Sequence, residues 1–292
     1  MKLVRIGEPG AERPAVLVSD DHAVDVADIV DDFDESFFAT DGPLRIQDSV
    51  KDRKASGKVF SIAGLRLGAP IARPHQILCV GLNYSDHANE SGMTVPTEPV
   101  VFSKSPNTLV GPGDDIVRPP AAWKLDYEVE LGVIIGKRSQ YLSSKDEALQ
   151  SIAGFTLVND VSEREFQLER EGQWIKGKSC ATFNPCGPYL VTPDEVSDPQ
   201  DLDLWLEVNG QRRQSGTTAD MIFDVATIIQ YLSQFFVLEP GDLINTGTPP
   251  GVALGMNPPQ YLEPGDLVTL GGGVLGEQRS QVVTFEDLAE TV

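Results

Sequence analysis

From residue 76 onward the chain keeps one texture. Short runs rich in β-branched and aromatic residues (VVFSK, VELGVIIG, GFTLVND, GPYLVT, LWLEVNG, LINTG, LVTLG) follow one another, each closed by glycine, proline or a polar turn. Runs of four to eight such residues suit strands and are too short to settle as helices, so the fold class is α+β and mainly β. Two segments break the pattern. In VSEREFQLER, Ser162 followed three residues later by Glu165 predicts a capping box at the start of a helix. In MIFDVATIIQYLSQFF, Ile222, Val225, Ile229, Leu232 and Phe236 recur at helical spacing and predict a buried stripe. The pentapeptide EPGDL occurs at Glu239 and again at Glu263, and its Pro-Gly pair suits the centre of a type II turn before a strand.

Residues 1–70 read as a small opening α/β domain: LVRIG and AVLVS as strands, then the acidic run VDVADIVDDFDESF as a helix. LRLGAPIARPHQ, broken by proline and glycine, reads as the entry into a second domain spanning 71–292. Charge narrows the partners. Lys plus Arg number 23 against 44 for Asp plus Glu, a net charge of −21, which repels phosphate backbones and anionic lipid and argues against nucleic-acid and membrane-surface partners. The three cysteines lack metal-binding spacing and read as reduced thiols of a cytoplasmic protein.

In KLDYEVELGVIIG a strand would place Asp126, Glu128 and Glu130 on one face. Three like charges in a row call either for water, as on a half-exposed strand, or for a cation. Asp160, closing the apolar run GFTLVND, sits where strands present functional carboxylates, although a turn or cap role fits it equally. Carboxylates from two strands would make an all-oxygen site for Mg²⁺ or Mn²⁺. His87 lies in the polar stretch GLNYSDHANESG, and Glu90 three residues on would share its face in a helical turn. A carboxylate beside an imidazole fixes its tautomer and raises its basicity; the alternative is a surface pair. Flanking glycines predict that residues 84–97 form a lid. Lys178 in WIKGKSC, Arg164 with Gln167 three residues later, and Thr248 in NTGTPPGV are further candidates for holding an anion, each also explicable as an exposed, ion-paired or turn residue.

Taken in order, GLNYSDHANESG, DYEVELGVIIGK, GFTLVNDVSEREFQ, WIKGKSCATFNPCGP and EPGDLINTGTPPGV resemble the fumarylacetoacetate hydrolase family over roughly residues 75–280. Within it the chain is most similar to the sugar-acid branch typified by 2,4-diketo-3-deoxy-L-fuconate hydrolases. The resemblance implies a mixed β-roll catalytic domain and a homodimer. It implies Mg²⁺ or Mn²⁺ on Glu128, Glu130 and Asp160, with His87 and Glu90 activating water. It also implies that Lys178 and Gln167 contact a 2-oxo acid substrate, Lys178 as a catalytic cation, and that Thr248 helps hold it. Arg164, which shares a face with Gln167, is a further substrate-binding candidate from its spacing. One departure is Ala181 after GKSC, where many members carry Asp. The activity implied is hydrolysis of the carbon–carbon bond of a 2,4-dioxo acid to pyruvate and a carboxylic acid. Oxaloacetate decarboxylation and non-catalytic binding of a metal and an oxo acid are the alternatives, and the His87–Glu90 pair speaks against the latter.

Overall fold

The computed structural model describes residues 1–90 and 92–289, the side chains of 288 and 289 excepted. Its central element is an eleven-stranded sheet. From one edge this sheet runs Phe60–Ser61, His22–Asp25, Arg13–Ser19, Lys2–Ile6, Leu190–Val191, Ile152–Asn159, Val129–Ile135, Leu243–Asn245, Ile77–Gly81 and Val100–Lys104, with Leu67–Gly68 also paired to Lys2–Ile6. A second sheet of five strands orders Gln211–Thr217, Asp203–Val208, Leu267–Gly271, Glu277–Thr284 and Ile116–Arg118. Most neighbours are antiparallel, while Leu243–Asn245 with Ile77–Gly81 and Glu277–Thr284 with Ile116–Arg118 are parallel. The strands of the first 70 residues join the same sheet as the later ones, because Lys2 and Leu3 pair with Val191 and Leu190.

Val129–Ile135 is buried at every position, so its alternation of side chains serves two packed faces. It pairs antiparallel with Ile152–Asn159, Val129 facing Asn159. Antiparallel pairing brings the start of one strand to the end of the other, and this is what sets Glu128 and Glu130 beside Asp160. The amide of Asp160 donates to the Glu128 carbonyl at 2.9 Å, and the amide of Glu128 to Asn159 Oδ1 at 3.0 Å.

Both EPGDL segments make the expected turn: Gly241 and Gly265 have φ of +88° and +95°, and the Asp242 and Asp266 amides each donate to the carbonyl of the first Glu at 3.0 Å. Strands Leu243–Asn245 and Leu267–Gly271 follow. The predicted apolar helix is shorter than expected, Val225–Leu232, so Ile222 and Phe236 fall outside it and are only half-buried; Asp224 caps it, its carboxylate accepting from the Thr227 amide at 2.7 Å. Ile229 on its inner face is fully buried, and Ile229→Ala is expected to cost about 2–5 kcal/mol, read as a lower urea midpoint at unchanged slope.

Two helix expectations are corrected. Ser162–Glu163 is a strand paired with Leu125–Asp126, and the turn after it, Glu165–Glu169, is a single π turn. Ser162 caps nothing, since its hydroxyl donates to the Asp160 carbonyl at 2.9 Å; the Glu163 carboxylate takes the Lys124 and Glu165 amides instead. The acidic run near residue 30 is mostly turn. Its aspartates work as partners: Asp32 takes both Arg5 nitrogens, Nε at 2.6 Å and Nη2 at 2.8 Å, and Asp34 caps the short helix Glu35–Ala39. The long helix of this region is Gly42–Ala55.

Candidate active site

One carboxylate oxygen each from Glu128, Glu130 and Asp160 lies within 4.8 Å of the others, and all three residues are buried. Strand alternation predicts Asp126 on the same face. The strand breaks after Leu125–Asp126, and Asp126 takes a different role. Its Oδ1 accepts from the Tyr127 and Ala253 amides at 2.8 Å each, and its Oδ2 from Leu254 at 3.0 Å and from Arg164 Nε at 2.8 Å. Arg164 continues to Glu128 Oε1 at 2.6 Å and to Gln167 Oε1 at 3.0 Å, so Arg164 and Gln167 do share a face. Burial opposes the charge of Arg164, yet Glu128 and Asp126 hold its pKa above the ordinary arginine value.

Lys178 lies at the end of the short helix Ile175–Lys178 and is 1% exposed. It donates to Glu128 Oε2 at 2.6 Å and to Asp160 Oδ2 at 2.8 Å. Burial opposes its charge, but Asp160 and Glu128 outweigh it and hold its pKa above the usual lysine value. A second buried lysine carries no signal in the sequence. Lys104 closes the strand VVFSK, where a single cation ending an apolar run is an ordinary strand end; here it pairs with Asp160 and donates to the Val161 carbonyl at 3.1 Å. Burial lowers its pKa, with Asp160 only partly opposing. Ala181 is exposed.

Charge balance across this floor is uneven. Burial raises the Glu128 pKa, but Lys178 and Arg164 outweigh it and hold the group well below the usual carboxylate range. Glu130 has no ion-pair partner among the described residues, only the Gly247 amide at 2.8 Å. Burial, reinforced by Asp160 and Glu128, pushes its pKa well above the usual value. Four buried carboxylates thus face three cations, with the deficit at Glu130. Converging oxygen donors, no thiol or imidazole among the three, and an excess of negative charge fit a hard divalent cation.

His87 and Glu90 lie on the helical turn Ser85–Glu90, His87 Nδ1 being 3.0 Å from Glu90 Oε1. An ionised carboxylate only accepts, so Nδ1 carries the proton and Nε2 keeps its lone pair. Glu90 is itself pinned by the Gly251 amide, at 3.0 and 2.9 Å from its two oxygens. The segment expected as a lid is therefore docked at its helical end; Ser91 lies outside the described residues. Thr248 Oγ1 donates to the Val129 carbonyl and accepts from Gln214 Nε2, both at 2.8 Å. Gln214, fully buried on the far sheet, also takes the Val129 amide at 3.0 Å; a glutamine in the polar run QRRQSGT carries no signal of this. His87, Glu128, Glu130, Arg164, Gln167, Lys178 and Thr248 line one narrow cleft that opens to solvent. The other histidines pair elsewhere, His22 with Asp21 and His75 with Glu35.

Residues 76–283 match the family described as fumarylacetoacetate (FAA) hydrolase, C-terminal. The chain belongs to the fumarylacetoacetate hydrolase family. A 2,4-didehydro-3-deoxy-L-rhamnonate hydrolase from Sphingomonas sp. (strain SKA58) is 45% identical over 100% of this chain and 99% of its own. Among solved structures, fumarylacetoacetate hydrolase from Exiguobacterium antarcticum superposes with a TM-score of 0.82 at 34% identity, covering 97% of this chain and 99% of that one. Maleylpyruvate hydrolase from Sphingobium sp. SYK-6, in complex with manganese(II) and pyruvate, gives 0.81 at 26% identity with the same coverage. The expected mainly β fold is that of the fumarylacetoacetate hydrolase family, and the chain is a hydrolase acting on a carbon–carbon bond of a small molecule. Among its described residues no helix is long and apolar enough to cross a membrane.

Proposed function

We propose that this family member cleaves the C3–C4 bond of a 2,4-dioxo acid, an acylpyruvate or a 2,4-diketo-3-deoxy sugar acid, giving pyruvate and a carboxylic acid. The observation that carries the reading is that His87, held by Glu90, lines the same cleft as Glu128 and Glu130, two members of the buried three-carboxylate cluster. Glu128, Glu130 and Asp160 would hold Mg²⁺ or Mn²⁺, which when bound supplies Lewis-acid charge for the substrate's carboxylate and 2-oxo oxygens. His87, oriented by Glu90, takes a proton from water as the oxygen attacks C4. The C3–C4 bond then breaks, the acyl group leaves as the carboxylic acid, and the bonding electrons pass into the enolate of pyruvate. Lys178 donates to the 2-oxo oxygen as negative charge develops there. The proton held by His87 returns to C3. Arg164 and Gln167 position the substrate's carboxylate end, and Thr248, whose hydroxyl proton goes to the Val129 carbonyl, borders the substrate in the same cleft. By the family resemblance a homodimer is the expected form, and the three free cysteines suit the cytoplasm.

Steady-state assay with Mg²⁺ across acylpyruvates, diketo-deoxy sugar acids and oxaloacetate, detecting pyruvate, tests the reading. Pyruvate from a 2,4-dioxo acid supports it. Release from oxaloacetate alone would make the enzyme a decarboxylase, a reaction that needs no activated water and leaves the dyad without a task.

A further inference from the structure

The cleft is divided by polarity. Its floor holds the buried carboxylates and cations, while its mouth is formed by the half-buried side chains of Leu82, Met93, Phe102, Leu168, Trp174 and Leu254. The Phe102 and Trp174 rings meet edge to face at 5.3 Å. Phe102 also lies under the Lys178 ammonium, 5.1 Å from ring centre to nitrogen, so the apolar wall starts directly at the charged floor. Gly81 makes room for it: a methyl group there would sit 2.7 Å from the Trp174 ring.

The cations of the floor are already engaged. Arg164 and Lys178 are the only cations lining the cleft among the described residues, and both are bonded to carboxylates beneath. His87 is committed to Glu90. A substrate can present its 2-oxo acid head to this floor, but a second anionic group further out would lie among six apolar side chains with no cation to meet it, in a protein of net charge −21. We infer that the acyl group this enzyme accepts is uncharged and ends in apolar carbon, and that the mouth rejects acyl groups ending in a carboxylate. The inference rests on the 2,4-dioxo acid reading and selects within it.

Butanoylpyruvate and succinylpyruvate make a matched pair, since the second replaces the terminal methyl of the first with a carboxylate. With Mg²⁺ present, kcat/KM is expected to favour butanoylpyruvate by about 10²-fold. Both compounds should also be titrated by calorimetry against the His87→Ala enzyme with Mg²⁺, where the same order of affinity is expected without turnover. Succinylpyruvate cleaved or bound as well as its partner overturns the inference and leaves the hydrolase reading standing. If neither is cleaved the hydrolase reading is in question, while the order of affinities still decides the polarity of the mouth. Leu168→Arg, which places a cation at the rim, should narrow the preference about tenfold; an unchanged ratio would remove Leu168 from the acyl site.

Discussion

His87→Ala is expected to lose acylpyruvate hydrolysis by at least ~10²-fold, the usual effect of removing a general base, with a much smaller loss of any oxaloacetate decarboxylation. Hydrolysis needs a proton taken from water, and His87 is the imidazole in the cleft, held in one tautomer by a carboxylate 3.0 Å away. Decarboxylation reaches the same pyruvate enolate by loss of CO₂ and asks nothing of a base. Steady-state rates on both substrates with the same enzyme preparation separate these cases. Equal losses would assign His87 to binding and leave the water without a base.

Glu130→Gln should abolish tight binding of Mg²⁺ or Mn²⁺, and hydrolysis with it. Gln keeps the size of the side chain and can still take the Gly247 amide, so the fold should survive. What disappears is the one buried carboxylate of the triad that no side-chain cation neutralises. Relieving buried negative charge is stabilising in itself, so the apo variant is expected to melt at the parent's temperature or above it. Calorimetric titration together with a thermal melt reads both effects. Parent-like affinity for the metal would remove Glu130 from the ligand set.

Much of this was readable from residue order, and the exceptions have physical causes. Strand runs and the two Pro-Gly turns depend on local preferences, so they could be placed without tertiary knowledge. Alternation and a strand end, both local, brought Glu128, Glu130 and Asp160 into view, but alternation included Asp126 as well, and it was the resemblance that singled out the three. Lys104, Asp126 and Gln214 were not, because their roles exist only across long separations: Lys104 meets Asp160, and Gln214 joins the amide of Val129 to the hydroxyl of Thr248. The capping box at Ser162 failed for the opposite reason. Its local signal was overridden when Ser162–Glu163 found a strand partner in Leu125–Asp126.

Asp126 has a consequence for how such an enzyme can diversify. One carboxylate holds both Arg164 and the Ala253 and Leu254 amides, and the segment it fastens begins at Gly251, whose amide fixes Glu90. Leu254, part of the acyl mouth, is therefore built into the mounting of the base. Reshaping that wall to admit a new acyl group would disturb the alignment of His87, and so would a change at Met93, whose amide donates to the Ala88 carbonyl on the helical turn of His87 at 2.9 Å, whereas Leu168 hangs from a segment that carries no partner of Glu90. Variation in substrate choice that keeps the hydrolytic rate should thus accumulate at Leu168 and spare Leu254 and Met93.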